Sequence, residues 1–198
     1  MRDKFIITIS REYGSGGGEI GRRLGEYFNI PCYDKELLTI VAKESGYCTE
    51  YFEKFDEKPI KVLSYFAFDG TNNVLPANHQ LFLKQFNLIQ KLAKEGSCIF
   101  VGRAANYALN DYKYVTNVFI HGDFEFRRER AVNHHGVDER YSESIVKKID
   151  KERASYYKYY TDSTWGMAKN YHLSIDTSYI GIDEAVKVII EFIEKKYK

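Results

Sequence analysis

The sequence has little of what would place it in a specialised class. Its three cysteines, Cys32, Cys48 and Cys98, are odd in number, far apart and without metal-ligand spacing. That argues against a disulfide framework and fits a reducing compartment. Cys98 lies in an apolar run and reads as a small core residue. No apolar stretch approaches the ~20 residues that span a bilayer, and no charged-then-apolar leader precedes the first apolar run. A cytoplasmic protein without a membrane partner is therefore expected. Charge of one sign is missing too: 29 basic against 28 acidic residues leave a net charge of +1. Such a chain has no global attraction to nucleic acid, so any anion site must come from a local cluster of basic groups. Internal repeats, low-complexity tracts and linkers are absent.

What is there fits one globular domain. The chain has 198 residues, 44% apolar and 29% charged, which is ordinary for a soluble fold. The unusual count is 17 tyrosines, several of them crowded at Tyr156-Tyr157 and Tyr159-Tyr160. Phe5 to Ile9 is short, β-branched and apolar, and predicts a strand buried on both faces. Glu19 to Phe28 has helical spacing and is stopped by Asn29-Ile30-Pro31. Pro31 to Tyr33 reads as a brief strand, and Asp34 as the cap of a helix over Lys35 to Glu44. Thr49 to Phe68 reads as helical, and Asp69 to Pro76 as a turn-rich loop. A helix follows from Asn78 or His79 to Lys94, then a strand at Ser97 to Val101 and another at Val115 to His121. Helices are expected at Asp123 to Asn133, broken by His134-His135-Gly136, and at Tyr141 to Tyr160. Tyr171 to Asp176 is the last strand and Ile182 to Lys195 the closing helix. Strands alternating with helices predict a three-layer α/β/α fold on a parallel sheet.

The strongest local feature is Gly14-Ser15-Gly16-Gly17-Gly18, set between the first strand and the first helix. In an open α/β sheet ligands bind beyond the carboxyl ends of the strands. Glycines let a loop curl with its N–H groups turned inward, and the helix N-terminus adds partial positive charge. A bound phosphate is the expected outcome; a flexible turn is the bland alternative. The motif departs from G-x-x-x-x-G-K-[ST]. With Gly14-Ser15-Gly16 as its closing glycines, the lysine position falls at Gly17, and neither the lysine nor the Ser/Thr that would ligate magnesium is found between there and Glu19. A dinucleotide fingerprint fits Gly16 to Gly21 only with shifted spacing.

Ile9-Ser10-Arg11-Glu12-Tyr13-Gly14-Ser15-Gly16-Gly17-Gly18-Glu19-Ile20-Gly21 resembles the signature of the cytidylate kinase-like family, within the P-loop nucleoside monophosphate kinase fold. Pro31 to Leu37 is similar to the next family segment. Val101-Gly102-Arg103 resembles the Gly-Arg-Asp segment, with Ala104 in place of the aspartate. Asp150-Lys151-Glu152-Arg153 resembles Asp-Ser-x-Arg, Arg127 and Arg130 match basic helix positions, and Asp176-Thr177-Ser178 closes the last strand. The resemblance implies a core, a monophosphate-binding region at about 45–95 and a helical lid at about 134–168. It further implies that Arg103 and Asp150 hold the acceptor nucleotide and that Arg153 faces the transferring phosphates.

Phosphoryl transfer is mostly positioning and charge stabilisation, and arginine forks suit it. The expected catalytic set is Arg11, Arg153, Arg127 and Arg130, with Gly14, Ser15, Gly16, Gly17, Gly18 and Glu19 at the phosphates and Asp34, Arg103 and Asp150 at the acceptor. Arg11 is placed to replace the missing lysine; a salt bridge to Glu12 or Glu19 is its alternative. For Arg127 and Arg130 the alternative is pairing along their own helix with Glu125 and Glu129, and for Asp150 and Arg153 a plain i, i+3 surface pair. Trp165 and the tyrosines either stack on a base, line the lid or pack internally. His134-His135 lacks ligand spacing and reads as surface, so no protein metal site is assigned; magnesium would arrive with ATP. The expected function is an ATP-dependent kinase of a nucleotide, cytidylate-like, or of a small metabolite. The alternative is a non-catalytic nucleotide- or phosphometabolite-binding protein on the same fold. Self-association as a homo-oligomer is left open.

Overall fold

The computed structural model describes residues 4–45, 53–54, 56–58 and 77–198. Five parallel strands form one sheet in the order β2-β3-β1-β4-β5. They are β1 Ile6–Arg11, β2 Cys32–Tyr33, β3 Cys98–Val101, β4 Val115–His121 and β5 Leu173–Asp176. The helices are α1 Gly17–Phe28, α2 Glu36–Ser45, α3 Ala77–Glu95, α4 Ala105–Ala108, α5 Phe124–His135, α6 Glu139–Thr161 and α7 Thr177–Lys196. The helix expected over 49–68 and the loop to Pro76 lie outside the described residues, apart from 53–54 and 56–58.

Every residue of β1 is buried, as a central parallel strand requires. Alternate side chains serve two cores. Ile6, Cys98, Phe100 and Val115 pack with Leu37, Val41, Leu88, Ile89 and Leu109 on one face. Ile7, Ile9, Ile99, Val118 and Ile120 pack with Ile20, Leu24, Ile189 and Ile193 on the other. The first face is covered by α2, α3 and α4, the second by α1 and α7. This is the three-layer α/β/α arrangement of nucleotide kinases, and Cys98 is a core residue within it.

The boundaries depart from the sequence reading where the signal is weak. Helix α1 begins at Gly17, ahead of Glu19, because two glycines in its first turn carry no side-chain periodicity. It ends at Asn29, whose left-handed backbone (φ 51) closes the last turn. Helix α5 continues through His134 and His135; Gly136 alone breaks it, at φ 66. Asp138 caps α6 by accepting from Arg140 N–H, so α6 starts before Tyr141. Helix α7 starts at Thr177 under the Asp176 cap and kinks at Gly181, and the stretch from Ile182 is the part beyond the kink. Helix α4 was not expected.

Trp165 and the tyrosines serve packing. Trp165 stands edge-on to Phe119 at 5.3 Å, Tyr160 stacks on Phe82 at 3.8 Å, and Tyr156 and Tyr157 are buried. Leu24 is fully buried between α1 and the sheet. Leu24→Ala is expected to lower the unfolding free energy by about 2–5 kcal/mol, measured by urea denaturation. Val188→Ala, at an exposed position on α7, should change it by less than about 0.5 kcal/mol.

Candidate functional site

The glycine loop leaves the carboxyl end of β1 and enters α1. Gly14 and Gly16 have φ of 80 and 85, a conformation that side chains rarely adopt. Space adds a second constraint. A Cβ at Gly14 would collide with the carbonyl oxygen of Arg127, and one at Gly17 would lie 2.5 Å from Arg11 Cβ. Ser15 is fully buried and faces away from solvent, its hydroxyl donating to the carbonyls of Glu12 at 2.8 Å and Ile120 at 3.2 Å. Thr177 Oγ1 in turn donates to the Ser15 carbonyl at 2.8 Å. The loop is thereby fixed from behind, while the first N–H groups of α1 have no acceptor within the helix. They border a hollow of about 780 Å³ lined by Gly14, Gly16, Gly17, Gly18 and Glu19.

Arg11, Arg103, Arg130 and Arg153 line the same hollow. Arg11 Nη1 donates to Glu57 Oε1 at 2.6 Å, and Arg153 Nε to Glu57 Oε2 at 3.2 Å. The backbone N–H of Arg103 also donates to Glu57 Oε1, at 2.9 Å. The Arg103 guanidinium is held by Asp56 at 2.7 Å and Asp34 at 2.9 Å. Gly102, Arg103 and Ala104 all have positive φ, so this segment is a tight left-handed turn. Arg153 Nη1 returns to the carbonyl of Arg11 at 3.0 Å. Arg130 meets Glu19 at 2.7 Å.

Arg127 and Asp150 sit behind the loop, not on the hollow. Arg127 donates to the carbonyls of Gly122 at 2.9 Å and Tyr13 at 3.1 Å, and pairs with Asp150 at 2.5 Å and Glu12 at 3.0 Å. Asp150 also accepts from the Tyr13 N–H at 2.7 Å. The two residues brace the loop's backbone.

The local pairings allowed by the sequence are thus replaced by long-range ones. Arg11 pairs with Glu57 and not with Glu12 or Glu19. Arg127 and Arg130 reach Glu12, Asp150 and Glu19, while Glu125 takes Arg128. Asp150 and Arg153 share a helix face but find separate partners. The Asp34 carboxylate, expected at the start of α2, meets Arg103. His134 and His135 are exposed at the end of α5, and no metal-binding cluster of His, Cys, Asp or Glu occurs among the described residues. Asp56 and Glu57 were not singled out from the sequence, and Glu12 only as a local partner for Arg11. Their need for arginine partners becomes visible only once Arg11 is known to end β1 and Arg103 to follow β3 in a buried turn.

Burial alone would push the Glu57 carboxyl up, but Arg11, Arg153 and Arg103 hold it well below its usual range. Burial and the neighbouring Arg11 lower Arg153 to about 10, against the pull of Glu57; it stays protonated at neutral pH. Burial opposes charge at Arg103, yet Asp56, Glu57 and Asp34 raise its pKa. Glu12 shows the reverse balance: burial pushes it up further than Arg127 holds it down.

Residues 6–179 match the model of the cytidylate kinase-like family. The chain belongs to the cytidylate kinase-like family. Among its relatives, a cytidylate kinase from Pyrococcus horikoshii is 22% identical over 182 residues, covering 89% of this chain and 82% of that protein. The crystal structure of an uncharacterized protein from Eubacterium ventriosum is similar at 31% identity and a TM-score of 0.74, covering 96% of this chain and 99% of that one. A shikimate kinase from Bacteroides thetaiotaomicron (13% identity, TM-score 0.58, 96% and 98% coverage) and a gluconokinase from Sinorhizobium meliloti (14%, 0.57, 100% and 98%) share the fold.

Two outcomes test this geometry. Gly17→Lys alone should destabilise the protein by about 1–3 kcal/mol, because its Cβ has no room beside Arg11. Combined with Arg11→Gly, the loss in urea unfolding should fall short of the sum of the single losses by about 1 kcal/mol or more. Because the Glu57 pKa is lowered on folding, its contribution is full above the unfolded carboxyl value and fades as pH falls below it. Wild-type stability should therefore drop more steeply than that of Glu57→Gln between about pH 5 and 3, measured by denaturation at each pH.

Proposed function

We propose that this chain is a phosphotransferase that moves the γ-phosphoryl group of ATP to a nucleotide, cytidylate-like, or to a small-metabolite acceptor. The observation that carries the reading is the exchange at the loop: the stem of Arg11 fills the space beside Gly17, where the common motif carries lysine. The cation is kept but is supplied from the strand end. The residues present fit a phosphate chain, since only glycine leaves the loop amides accessible and the arginines border the same hollow. Magnesium fits as a companion of the nucleotide and not as a resident ion. When bound, ATP supplies the phosphoryl group and magnesium offsets charge on its β- and γ-oxygens.

In this reading the N–H groups of Gly16 to Glu19 hold the phosphates, and Arg11 and Arg153 face the oxygens that gain charge during transfer. Arg130 steadies Glu19 at the first turn of α1. Arg103 and Asp34 border the acceptor side, and Arg127 and Asp150 keep the loop in shape. The paired state of the arginines sets a condition on binding. Arg11, Arg103, Arg127, Arg130 and Arg153 are met by Glu12, Glu19, Asp34, Asp56, Glu57 and Asp150, so the cluster carries no excess of positive charge. A phosphate gains full charge pairing only when a carboxylate withdraws, and Glu57, which bridges Arg11 and Arg153 beside the loop, is the candidate.

The same charge balance favours a second reading, a phosphate-ligand binding protein without turnover. Release of ADP from ATP and magnesium, followed with a panel of nucleoside monophosphates and small hydroxylated metabolites, separates the two. Acceptor-dependent turnover is expected, and Arg153→Gln should lower it about 10²-fold. Thermal stabilisation by ATP, of about 2.7 kcal/mol at a hundredfold excess over Kd, with no product from any acceptor would establish the second reading. Glu57→Gln should bind ATP more tightly than wild type; unchanged or weaker binding in calorimetry would remove the displacement step.

A further inference from the structure

A second hollow opens at the opposite end of the sheet, by the start of β4, with a different lining. It has a volume of about 640 Å³ and lies between the start of β4, helix α4, the end of α6 and the stretch 168–172. Val115 at the start of β4 pairs with Ile6, whereas Arg11 pairs with Ile120 at the far ends of the same strands. The two hollows are thus separated by five strand residues, ~16 Å along the sheet.

The charge of this lining is of one sign. Lys113, Lys169 and Lys196 border it, and no aspartate or glutamate does so among the described residues. In a chain of net charge +1 this is local segregation, the condition for an anion site set out above. The glycine-loop hollow, by contrast, carries arginines and carboxylates together.

The interior is polar where the fold would call for apolar groups. Alternation along β1 and β4 directs Thr8 and Asn117 to the face occupied by Ile6 and Val115. Thr8 Oγ1 donates to Asn117 Oδ1 at 2.8 Å, across the register pair. The Asn117 N–H donates to His172 Nδ1 at 2.9 Å, which places the imidazole proton on Nε2 in the neutral ring. Asn106 is 6% exposed; its Nδ2 donates to Tyr157 Oη at 2.8 Å, and its Oδ1 has no hydrogen-bond partner. Buried amide oxygens are normally satisfied. Lys196 Nζ donates to the Val115 carbonyl at 2.9 Å and to Thr116 Oγ1 at 3.2 Å. Burial lowers its pKa, with no carboxylate acting against it. Lys196 is an exposed residue, and its ammonium meets only neutral groups, the rings of Phe192 and Tyr197 among them, so its positive charge is left for an anion.

We propose that this hollow binds a nucleoside monophosphate at a site separate from the glycine loop. Its phosphate would meet Lys196 and Lys169, and its ring would lie against tyrosine faces at Tyr107, Tyr112 and Tyr171. Asn106 Oδ1 would accept from a ligand amino or hydroxyl group. The volume lies in the roughly 300–1,000 Å³ range of small-ligand sites, larger than inorganic phosphate alone requires. Aromatic faces with a few fixed polar groups suit a planar ring.

Calorimetric titration of the full chain with AMP, CMP, GMP and UMP tests the proposal, with inorganic phosphate as the small-anion control. At least one nucleotide should bind, and Lys169→Glu, at an exposed position, should weaken that binding about tenfold, close to 1.4 kcal/mol. Lys196→Gln should do the same. Arg153→Gln, in the other hollow, should leave it unchanged within about twofold. Melting temperatures check that each variant folds; if Lys196→Gln does not, Lys169→Glu decides. Binding by none of the four nucleotides, binding abolished by Arg153→Gln and kept in Lys169→Glu, or inorganic phosphate binding as tightly as every nucleotide would each overturn the proposal. The readout is binding at the lysine hollow, so it stands or falls independently of turnover at the glycine loop.

Discussion

Arg127 holds the candidate site in shape. Its guanidinium touches the carbonyls of Gly122 and Tyr13 and the carboxylates of Glu12 and Asp150, while its own carbonyl lies against Gly14. One residue therefore ties together the exit of β4, the glycine loop and helix α6. The arrangement needs glycine at position 14, since any Cβ would push the Arg127 backbone away and open the loop. It also needs both carboxylates, because a guanidinium this far from water is stabilising only while its donors are met. The loop's precision is thus borrowed from α5 and α6, which are remote in sequence, and the amides that face the hollow inherit it.

The remaining arginines are arranged by the same economy. Arg11, Arg103 and Arg153 crowd one end of the sheet, where burial and, at Arg153, the neighbouring Arg11 both work against their charge. Glu57 and Asp34 each bridge a pair of them. Planar forks suit such bridging better than ammonium groups, because two donors can be divided between two partners in fixed geometry. A cluster neutralised in this way is stable as a fold and reluctant as an anion trap. In the proposed reading, binding is an exchange of carboxylate for phosphate, and the selectivity of the site rests on which carboxylates can be exchanged.

Much of this architecture was legible in the chain. Apolar runs of four to seven residues between helical periods gave the parallel sheet, with β4 at the expected span, and five small residues between β1 and α1 gave the loop. The ion-pair network was not legible. Sequence reasoning can weigh partners three or four residues apart, and none of the arginines weighed took such a partner; Glu125, offered to Arg127 and Arg130, went to Arg128. Arg11 and Glu57 are 46 positions apart and Arg127 and Asp150 are 23 apart, distances at which only the fold decides who meets whom. Short elements failed for a related reason. The four residues of α4 span about one turn, too few for any period to show, and Gly17 and Gly18 have no side chains with which to announce a helix.

Glycine at position 17 and arginine at position 11 are one change. A side chain at position 17 and arginine at position 11 crowd each other, because a Cβ at 17 would lie 2.5 Å from Arg11 Cβ and 2.9 Å from its Cγ. With Arg11 present, glycine at 17 is the residue that lets the strand end approach the helix start, and the charge missing from the helix is restored from the strand. The exchange alters the direction of the charge. A lysine on α1 would rise with the helix along the phosphate chain, whereas Arg11 leaves β1 toward Gly102 and Glu57, on the side of the hollow that Arg103 and Asp34 border. In the proposed reading the cation thereby moves from the donor's half of the site to the boundary between donor and acceptor. Its partner there is Glu57, and on the proposed reading the competition between that carboxylate and a phosphate sets whether the loop is ready to bind.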